Sequence, residues 1–154
     1  MKHNPWEFIS TIKTIIISST DTNSVAHTSY SPFVENERKF YICISAMAAH
    51  TQNIINNETI SIMFIEDEAK STNLFARKRV TFHAHTNHIE RDSQLFKETM
   101  KLFRNKFGNS TNIYEQLQDF QLFELLPFSG RGVFGFGEAY DFKQGDFSSK
   151  PSGM

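Results

Sequence analysis

Residues 61–82 constrain the fold more than any other stretch of this chain. Residues 61–65 form a short apolar run, three consecutive carboxylates follow at residues 66–68, and three basic residues at 77–79 lead into a second apolar run, residues 80–82. Short runs of β-branched and aromatic residues favour strands. Because a buried strand gains nothing from six charges at its ends, we expect these charges at the rim of a sheet, facing solvent, a ligand or each other.

The chain is long enough to form one domain with its own core. Of its 154 residues, we assign residues 1–142 to a single domain and residues 143–154 to a polar, loose tail. The net charge of −1 lacks the basic excess of a non-specific nucleic-acid binder. No run approaches the ~20 apolar residues of a membrane span. The composition therefore predicts one domain with neither a nucleic-acid partner nor a membrane span.

The sequence contains one cysteine and sixteen phenylalanines. Cys43 lies within the apolar run of residues 40–44, so we expect a buried, structural thiol. One cysteine cannot form a disulfide within the chain, which fits a reducing cytoplasm. Phenylalanine packs well against β-branched neighbours across strands, whereas base-stacking residues would alternate with Lys and Arg. We therefore expect an aromatic core in a cytoplasmic protein.

Hydrophobic periodicity predicts about seven strands and three helices. The strands are residues 14–19, 25–34, 39–45, 59–65, 77–88, 118–126 and 132–142, and the helices are residues 5–12, 46–57 and 92–107. The first three strands are expected to form a meander. Helices occur too irregularly for a doubly wound βαβ sheet, so the pattern predicts a small, closed or partly closed barrel with helical caps.

Two motifs are interpreted as structural. Residues 130–135 match the dinucleotide-binding pattern G-x-G-x-x-G, but that pattern must open a helix, and strand-like residues follow here. Glycines in a strand more often allow a bulge or a close approach of another backbone.

His83 and His85 alternate, so they share one face of a strand and could bind zinc, but no third ligand is suitably spaced. We interpret His83 and His85 as solvent-facing histidines.

Two candidate residues lie on the predicted helix after the third strand. His50 precedes Asn53 by three residues, so their side chains share a face. Helix N-termini and adjacent loops commonly bind anions. The alternative is an ordinary surface histidine on a helix.

Basic and acidic candidates lie at strand ends. Arg77 and Arg79 flank Lys78, so a strand would point both guanidiniums one way and the ammonium the other. Arginine is suited to bidentate capture of phosphate or carboxylate. The alternative is a solvated strand end that pairs with the acids of residues 66–68. Asp119 precedes an apolar strand, where it is either a site residue or a turn or cap residue.

Five segments occur together in one order along the chain. They are residues 28–33 (TSYSPF); Ser45 with residues 50–53 (HTQN); residues 61–68 (SIMFIEDE); residues 76–82 (ARKRVTF) with 90–92 (ERD); and residues 117–123 (LQDFQLF) with 135–139 (GFGEA). Together they resemble the haem-utilisation branch (HugZ/HutZ-like) of the pyridoxamine-phosphate-oxidase-like, FMN-binding split barrels. The resemblance covers nearly the whole chain up to Tyr140.

This resemblance implies a mainly β fold, a split barrel of six to seven mostly antiparallel strands with helical caps. It also implies a homodimer with ligand sites at the subunit interface. Members of this branch bind haem, and some open its macrocycle to release iron, using an electron donor that we do not identify.

The resemblance also implies roles for individual residues. Arg79 is expected on the distal side, near bound oxygen or a propionate, and Asp119 is expected to orient the proximal ligand from across the dimer; both are candidate catalytic residues. His50 is expected beside the ligand pocket. The remaining candidate cofactor-binding residues are Ser45, Asn53 and Arg77.

Two features leave the cofactor open. The branch implies an axial histidine in a C-terminal loop, and the last histidine of this sequence is His88, so we assign no metal ligand. Flavin-binding relatives hold the FMN phosphate with a hydroxyl, here Ser45, and a basic residue, where this chain has His50. A neutral imidazole anchors phosphate weakly, although Arg79 could compensate. The alternatives are an FMN-dependent oxidoreductase, a non-catalytic haem or flavin carrier, and a barrel dimer without a cofactor.

Overall fold

The fold is a curled antiparallel sheet with short helices, seen in a computed structural model that describes residues 3–143 and 145–150. In chain order the elements are α1 (Pro5–Ser10), β1 (Thr14–Thr20), β2 (Ala26–Pro32), β3 (Val34–Asn36), β4 (Lys39–Ser45), α2 (Ala49–Asn56), β5 (Thr59–Ile65), β6 (Arg79–Ile89), α3 (Gln94–Phe107), α4 (Ile113–Gln116), β7 (Phe120–Val133), β8 (Ala139–Lys143) and β9 (Asp146–Lys150).

The strand order is β2-β1-β5-β6-β7-β4-β3, and every pairing is antiparallel. β7 spans fourteen residues. Its first half pairs with β4, its second half pairs with β8, and β6 runs along its other side. The predicted split barrel is therefore confirmed; the sheet has nine strands because β3 and β9 are short additions at its margins.

The interior is rich in phenylalanine, as the composition predicts. The main cluster lies inside the curled sheet, and a second cluster lies between the sheet and α3. Six of the largest fully buried side chains are phenylalanines: Phe33, Phe40, Phe64, Phe82, Phe103 and Phe123. Neighbouring rings meet edge-on or tilted, with centroids 4.8 Å apart for Phe40 and Phe64, which is the arrangement that aromatic quadrupoles favour.

The helix predicted at residues 92–107 is confirmed as α3, together with its caps. Ser93 accepts the backbone N–H of Phe96 at the start of α3, and Gly108, with φ of 85°, follows its last residue. α1 is confirmed as well, because Asn4 caps it and Pro5 occupies its first turn. Both helices carry an apolar stripe, and this stripe holds them against the sheet.

Two predictions of chain path are corrected. β4 pairs with β3 and β7 and not with β2, so the expected meander is wrong; the buried Phe33 lies between β2 and β3, which are at opposite ends of the strand order. β7 continues through residues 127–133, which were expected to be a loop followed by a new strand. The turn comes later, at Gly135 and Gly137, whose φ values of 145° and 74° suit glycine.

Part of the expected loose tail is a strand. Residues 146–150 form β9, which pairs with β8 from Ala139 to Lys143. The reason is Phe147, which is 6% exposed and packs against Trp6 with ring centroids 5.6 Å apart. One apolar residue in a polar segment is enough to fix a hairpin when an aromatic cluster lies beneath it. Residues 144 and 151–154 lie outside the described residues.

The glycine-rich motif has a packing role. Residues 130–133 belong to β7, and no helix follows them within the described chain. A Cβ atom on Gly130 would lie 2.4 Å from the carbonyl oxygen of Thr81. The glycine therefore permits a close approach between β6 and β7, as the strand interpretation predicts.

Cys43 is buried and 3% exposed, as predicted. Burial raises the pKa of its thiol from 9.0 to about 12, so the thiol stays protonated at neutral pH. Among the described helices, none is long and apolar enough to cross a membrane.

Candidate functional site

Ser45 and Asp119 meet where β4 ends and β7 begins. The hydroxyl of Ser45 donates to Oδ2 of Asp119 over 2.9 Å, and the backbone N–H of Ala46 donates to the carbonyl oxygen of Asp119 over 2.7 Å. The Ser45 hydroxyl also accepts the N–H of Met47. Asp119 is exposed. The structure thus presents an ordered carboxylate at the surface, held on both its side chain and its backbone.

α2 follows this junction and carries His50 and Asn53 on its inner side. Nδ1 of His50 lies 2.8 Å from the hydroxyl of Ser29 on β2. Burial, with a smaller contribution from the nearby His27, lowers the pKa of His50 below its ordinary value of 6.5, so the imidazole is neutral at pH 7. Asn53 is 8% exposed and donates to the Ser19 hydroxyl on β1. Both side chains therefore attach α2 to the β1–β2 hairpin.

Arg77 and Arg79 lie at the far end of the sheet, where β6 begins. Arg77 was predicted to begin a strand, but it caps a short 3-10 turn two residues before β6, and its Nη2 donates to the Glu66 carbonyl oxygen over 2.5 Å. Arg79 donates through Nη1 to the carbonyl oxygen of Arg77 over 2.9 Å. Both arginines are half-buried. Nε of Arg77 is buried and has no hydrogen-bond partner among the described residues.

The acids of the 66–68 segment do not neutralise these guanidiniums. Within residues 3–143 and 145–150, Arg77 contacts Glu66 only through a backbone carbonyl, and no ion pair joins either arginine to residues 66–68. Lys78 instead lines a cavity of about 570 Å³ together with Glu66 and Asp67. Neither arginine lines that cavity, so the Lys78 ammonium and the two guanidiniums lie on different surfaces.

The two groups of candidate residues are far apart within one chain. Ser45 pairs with Phe120 at the start of β7, and Arg79 pairs with Val133 at its end. Thirteen residues of strand separate these two register positions, or about 40 Å along its path at ~3.3 Å per residue. The candidate residues therefore fall into two groups, which we call the acidic half-site (Ser45 and Asp119) and the basic half-site (Arg77 and Arg79).

A second cavity lies beside the acidic half-site. It has a volume of about 390 Å³ and lies between α2 and the ends of β6 and β7. Its walls are half apolar and half polar: they include Ile54 and Phe123 on one hand and Glu58, His88 and Gln121 on the other. His88 is exposed, and its Nε2 lies 2.8 Å from Oε1 of Gln121.

His83 and His85 lie outside both half-sites. Both are exposed, as the solvent-facing interpretation predicts, and the His85 ring stacks on Phe128 with centroids 4.3 Å apart. In the part of the chain that the structure describes, no three His, Cys, Asp or Glu side chains are grouped to hold a metal ion.

Sequence reasoning did not single out one residue that supports the acidic half-site. Arg91 donates to the carbonyl oxygens of Phe120, Tyr114 and Glu115. It belongs to the Glu90-Arg91-Asp92 segment, but its partners lie more than twenty residues away, and no local pattern reveals contacts of that range.

Comparison with known proteins identifies the family. A family model described as pyridoxamine 5′-phosphate oxidase matches residues 2–134. The chain belongs to this family. Within it, the chain is 42% identical over 134 residues to HutZ of Vibrio cholerae, described as a haem oxygenase, and this match covers 87% of the chain and 76% of HutZ. The resemblance to the HutZ branch inferred from the sequence segments is thus confirmed.

Solved structures of this branch share the fold. A crystal structure of Vibrio cholerae HutZ, described there as a haem storage protein, has 39% identity and a TM-score of 0.78, covering 86% of this chain and 92% of that one. Campylobacter jejuni ChuZ has 30% identity and a TM-score of 0.85, covering 96% of this chain. The present chain spans 63% of the ChuZ chain.

Proposed function

We propose that this protein is a haem-utilisation protein that binds haem between two copies of the chain and degrades it oxidatively to release iron. The observation that carries the proposal is the 2.9 Å hydrogen bond between Ser45 and Asp119. The proposal also draws on the description of the relative HutZ as a haem oxygenase.

The Ser45–Asp119 pair favours haem over FMN. In flavin-binding relatives the hydroxyl at this position helps to hold the FMN phosphate, whereas here it donates to a carboxylate. A fixed negative charge beside that hydroxyl repels a phosphate. His50, a neutral imidazole tied to Ser29, adds no compensating charge. Arg79 of the same chain is at the other end of β7, so only Arg79 of a partner chain could add a positive charge here.

Each half-site has chemistry that suits one side of a haem. An exposed carboxylate such as Asp119 can accept a hydrogen bond from an imidazole that ligates iron, which fixes the ring and raises its basicity. The last histidine of this sequence is His88, so we assign no such imidazole here. The half-buried guanidinium of Arg79 has N–H groups that can donate to an anionic group such as a propionate. When bound, haem would supply the iron at which dioxygen is activated.

The separation of the half-sites supports a homodimer. If each site takes Arg79 from one chain and Asp119 from its partner, two copies form two complete sites, whereas one copy forms none. The proposal further includes a cytoplasmic location and a separate electron donor, neither of which is identified by a contact on this chain.

Haem titration of the purified protein tests the proposal. We expect a Soret band that saturates at one haem per chain and a dimer in analytical ultracentrifugation. Asp119→Asn should shift the band and weaken binding about tenfold, the low end of effects seen for residues that orient metal ligands. A Glu115→Gln variant, four residues away on the same surface, is the matched control. A yellow protein with flavin fluorescence and no Soret band would establish the FMN alternative instead.

Storage is the second candidate function, because the HutZ crystal structure is described as that of a haem storage protein. A reductant such as ascorbate, added to the haem-loaded protein in air, separates the two. Degradation predicts a progressive loss of the Soret band with release of iron to a chelator. A Soret band that persists under these conditions would establish the non-catalytic, haem-storing alternative.

A further inference from the structure

Arg91 forms an unusually complete set of backbone contacts for a residue near a surface. Its Nη1 donates to the carbonyl oxygen of Phe120 over 3.0 Å, and its Nη2 donates to those of Tyr114 and Glu115 over 3.0 and 2.6 Å. The guanidinium carbon lies 5.2 Å from the centre of the Phe96 ring. One side chain thus joins the end of β6, the start of α3 and the segment that precedes β7.

These contacts bracket Asp119. The bonded carbonyls belong to residues 114, 115 and 120, so Arg91 holds both ends of the short loop that carries Asp119. Besides these bonds, the loop is held by the contacts of Asp119 with Ser45 and Ala46; α4 is a single turn, and residues 115–119 are all exposed. Loop carbonyls without such a donor would face solvent and allow the loop to move.

We propose that Arg91 is a positioning residue for Asp119. It acts through the backbone of residues 114–120 and keeps the Asp119 carboxylate within hydrogen-bonding distance of Ser45. The role of this carboxylate in haem binding rests on the proposed function. Its placement by Arg91 does not depend on that function.

The geometry requires arginine. Three carbonyl oxygens receive hydrogen bonds from two nitrogens of one planar guanidinium, whose central carbon lies over the Phe96 ring at 5.2 Å from its centre. A lysine ammonium is a compact donor that cannot reproduce this fork or stack in the same way. Arg91→Lys therefore keeps the positive charge but removes the forked hydrogen bonds. The variant thus distinguishes an effect of positioning from an effect of charge.

Arg104 offers a matched control on the same loop. Its guanidinium pairs with the side chain of Glu115 and makes no described bond to the loop backbone. It is partly exposed, so the pair is expected to contribute little to stability. Arg104→Lys should leave Asp119 in place.

Carboxyl carbon NMR of the ligand-free protein tests the proposal without any cofactor. We expect Arg91→Lys to move the Asp119 carboxyl resonance toward its position in a Ser45→Ala variant, and Arg104→Lys to leave it unchanged. An unmoved resonance in Arg91→Lys would overturn the proposal. This result is independent of haem binding, so failure of the proposed function would not be mistaken for failure of this inference.

A double-mutant cycle measures the coupling where haem binds. Arg91→Lys and Asp119→Asn should each raise the Kd for haem about tenfold, and the double variant should be less than about twofold weaker than Asp119→Asn alone, since both changes remove one arrangement. Full additivity of the two free-energy changes would contradict the proposal.

If Arg91→Lys does not fold, hydrogen exchange of the Arg91 guanidinium N–H groups in the unmodified protein tests the proposal instead. Slow exchange supports the hydrogen bonds to the carbonyl oxygens, and rapid exchange refutes them.

Discussion

Ser45 and Asp119 are 74 residues apart in sequence and share a 2.9 Å hydrogen bond. The bond joins the last residue of β4 to the residue that precedes β7. The proposed preference for haem over FMN rests on this bond, because it holds a carboxylate beside the Ser45 hydroxyl.

Arg79→Ala should impair haem degradation more than haem binding. Arg79 is expected to donate to an anionic group or bound oxygen on the distal side, a contribution of about 2–3 kcal/mol for a charge-assisted hydrogen bond. We expect a fall in turnover of about 50-fold, measured from the rate of Soret loss. Lys78→Ala is the control, because Lys78 lines a separate cavity. Equal losses in the two variants would contradict a distal role for Arg79.

Gly130→Ala should destabilise the protein more than Gly132→Ala. An added Cβ at Gly130 meets the backbone oxygen of Thr81 at 2.4 Å, whereas at Gly132 it meets the Phe134 ring at 3.0 Å. Backbone cannot move aside as a side chain can, so we expect a loss of about 3 kcal/mol at Gly130 and about 1 kcal/mol at Gly132. Urea unfolding followed by circular dichroism measures both. Equal losses would argue against the close β6–β7 approach.

Phe147→Ala should reduce the free energy of unfolding by about 3 kcal/mol, as for other buried phenylalanines. Its ring contacts Trp6, the only tryptophan of the chain, so the intrinsic fluorescence should change as well. Phe136→Ala is the control: Phe136 is 69% exposed, and its loss should cost less than about 0.5 kcal/mol. A wild-type stability in Phe147→Ala would mean that β9 is not packed on the sheet.

Cys43 should make the protein less stable at alkaline pH. The pKa of the thiol is 9.0 in its ordinary environment and about 12 in the fold. Between these values the unfolded chain releases a proton that the folded chain retains, so stability falls as pH rises, by up to about 1.4 kcal/mol per pH unit. Cys43→Ala should be less stable at pH 8 but lose less stability between pH 9 and 11. Parallel pH profiles for the two proteins would contradict this.

Sequence periodicity predicted the elements whose signals are local. Strand β5 was predicted at its observed bounds, because a run of β-branched residues ends at three charges. Helix α3 followed from its apolar stripe and its cap. Strand β9 was missed because one phenylalanine in a polar segment has no periodicity. The aromatic cluster around Trp6, which distant strands form, explains why residues 146–150 pack as a strand.

The sequence named the candidate site residues, which stay a prediction, but it could not predict how they are arranged. Arginines at a strand end and an aspartate before a strand were visible in the sequence. Their separation along β7 was not, because it depends on which strands pair: β4 joins one end of β7 and the start of β6 joins the other. The contacts of Arg91 could not be predicted from the sequence either, because a backbone carbonyl accepts a hydrogen bond whatever side chain its residue carries.

The length of β7 has a consequence for mixtures of inactive variants. If each site of a twofold dimer draws Arg79 from one subunit and Asp119 from the other, subunits carrying only Arg79→Ala and only Asp119→Asn can exchange to form hybrids. Each hybrid contains one site with both defects and one site with none. Two defective preparations, unfolded and refolded together, would then regain up to about a quarter of the wild-type turnover, by the statistics of random pairing in an isologous dimer.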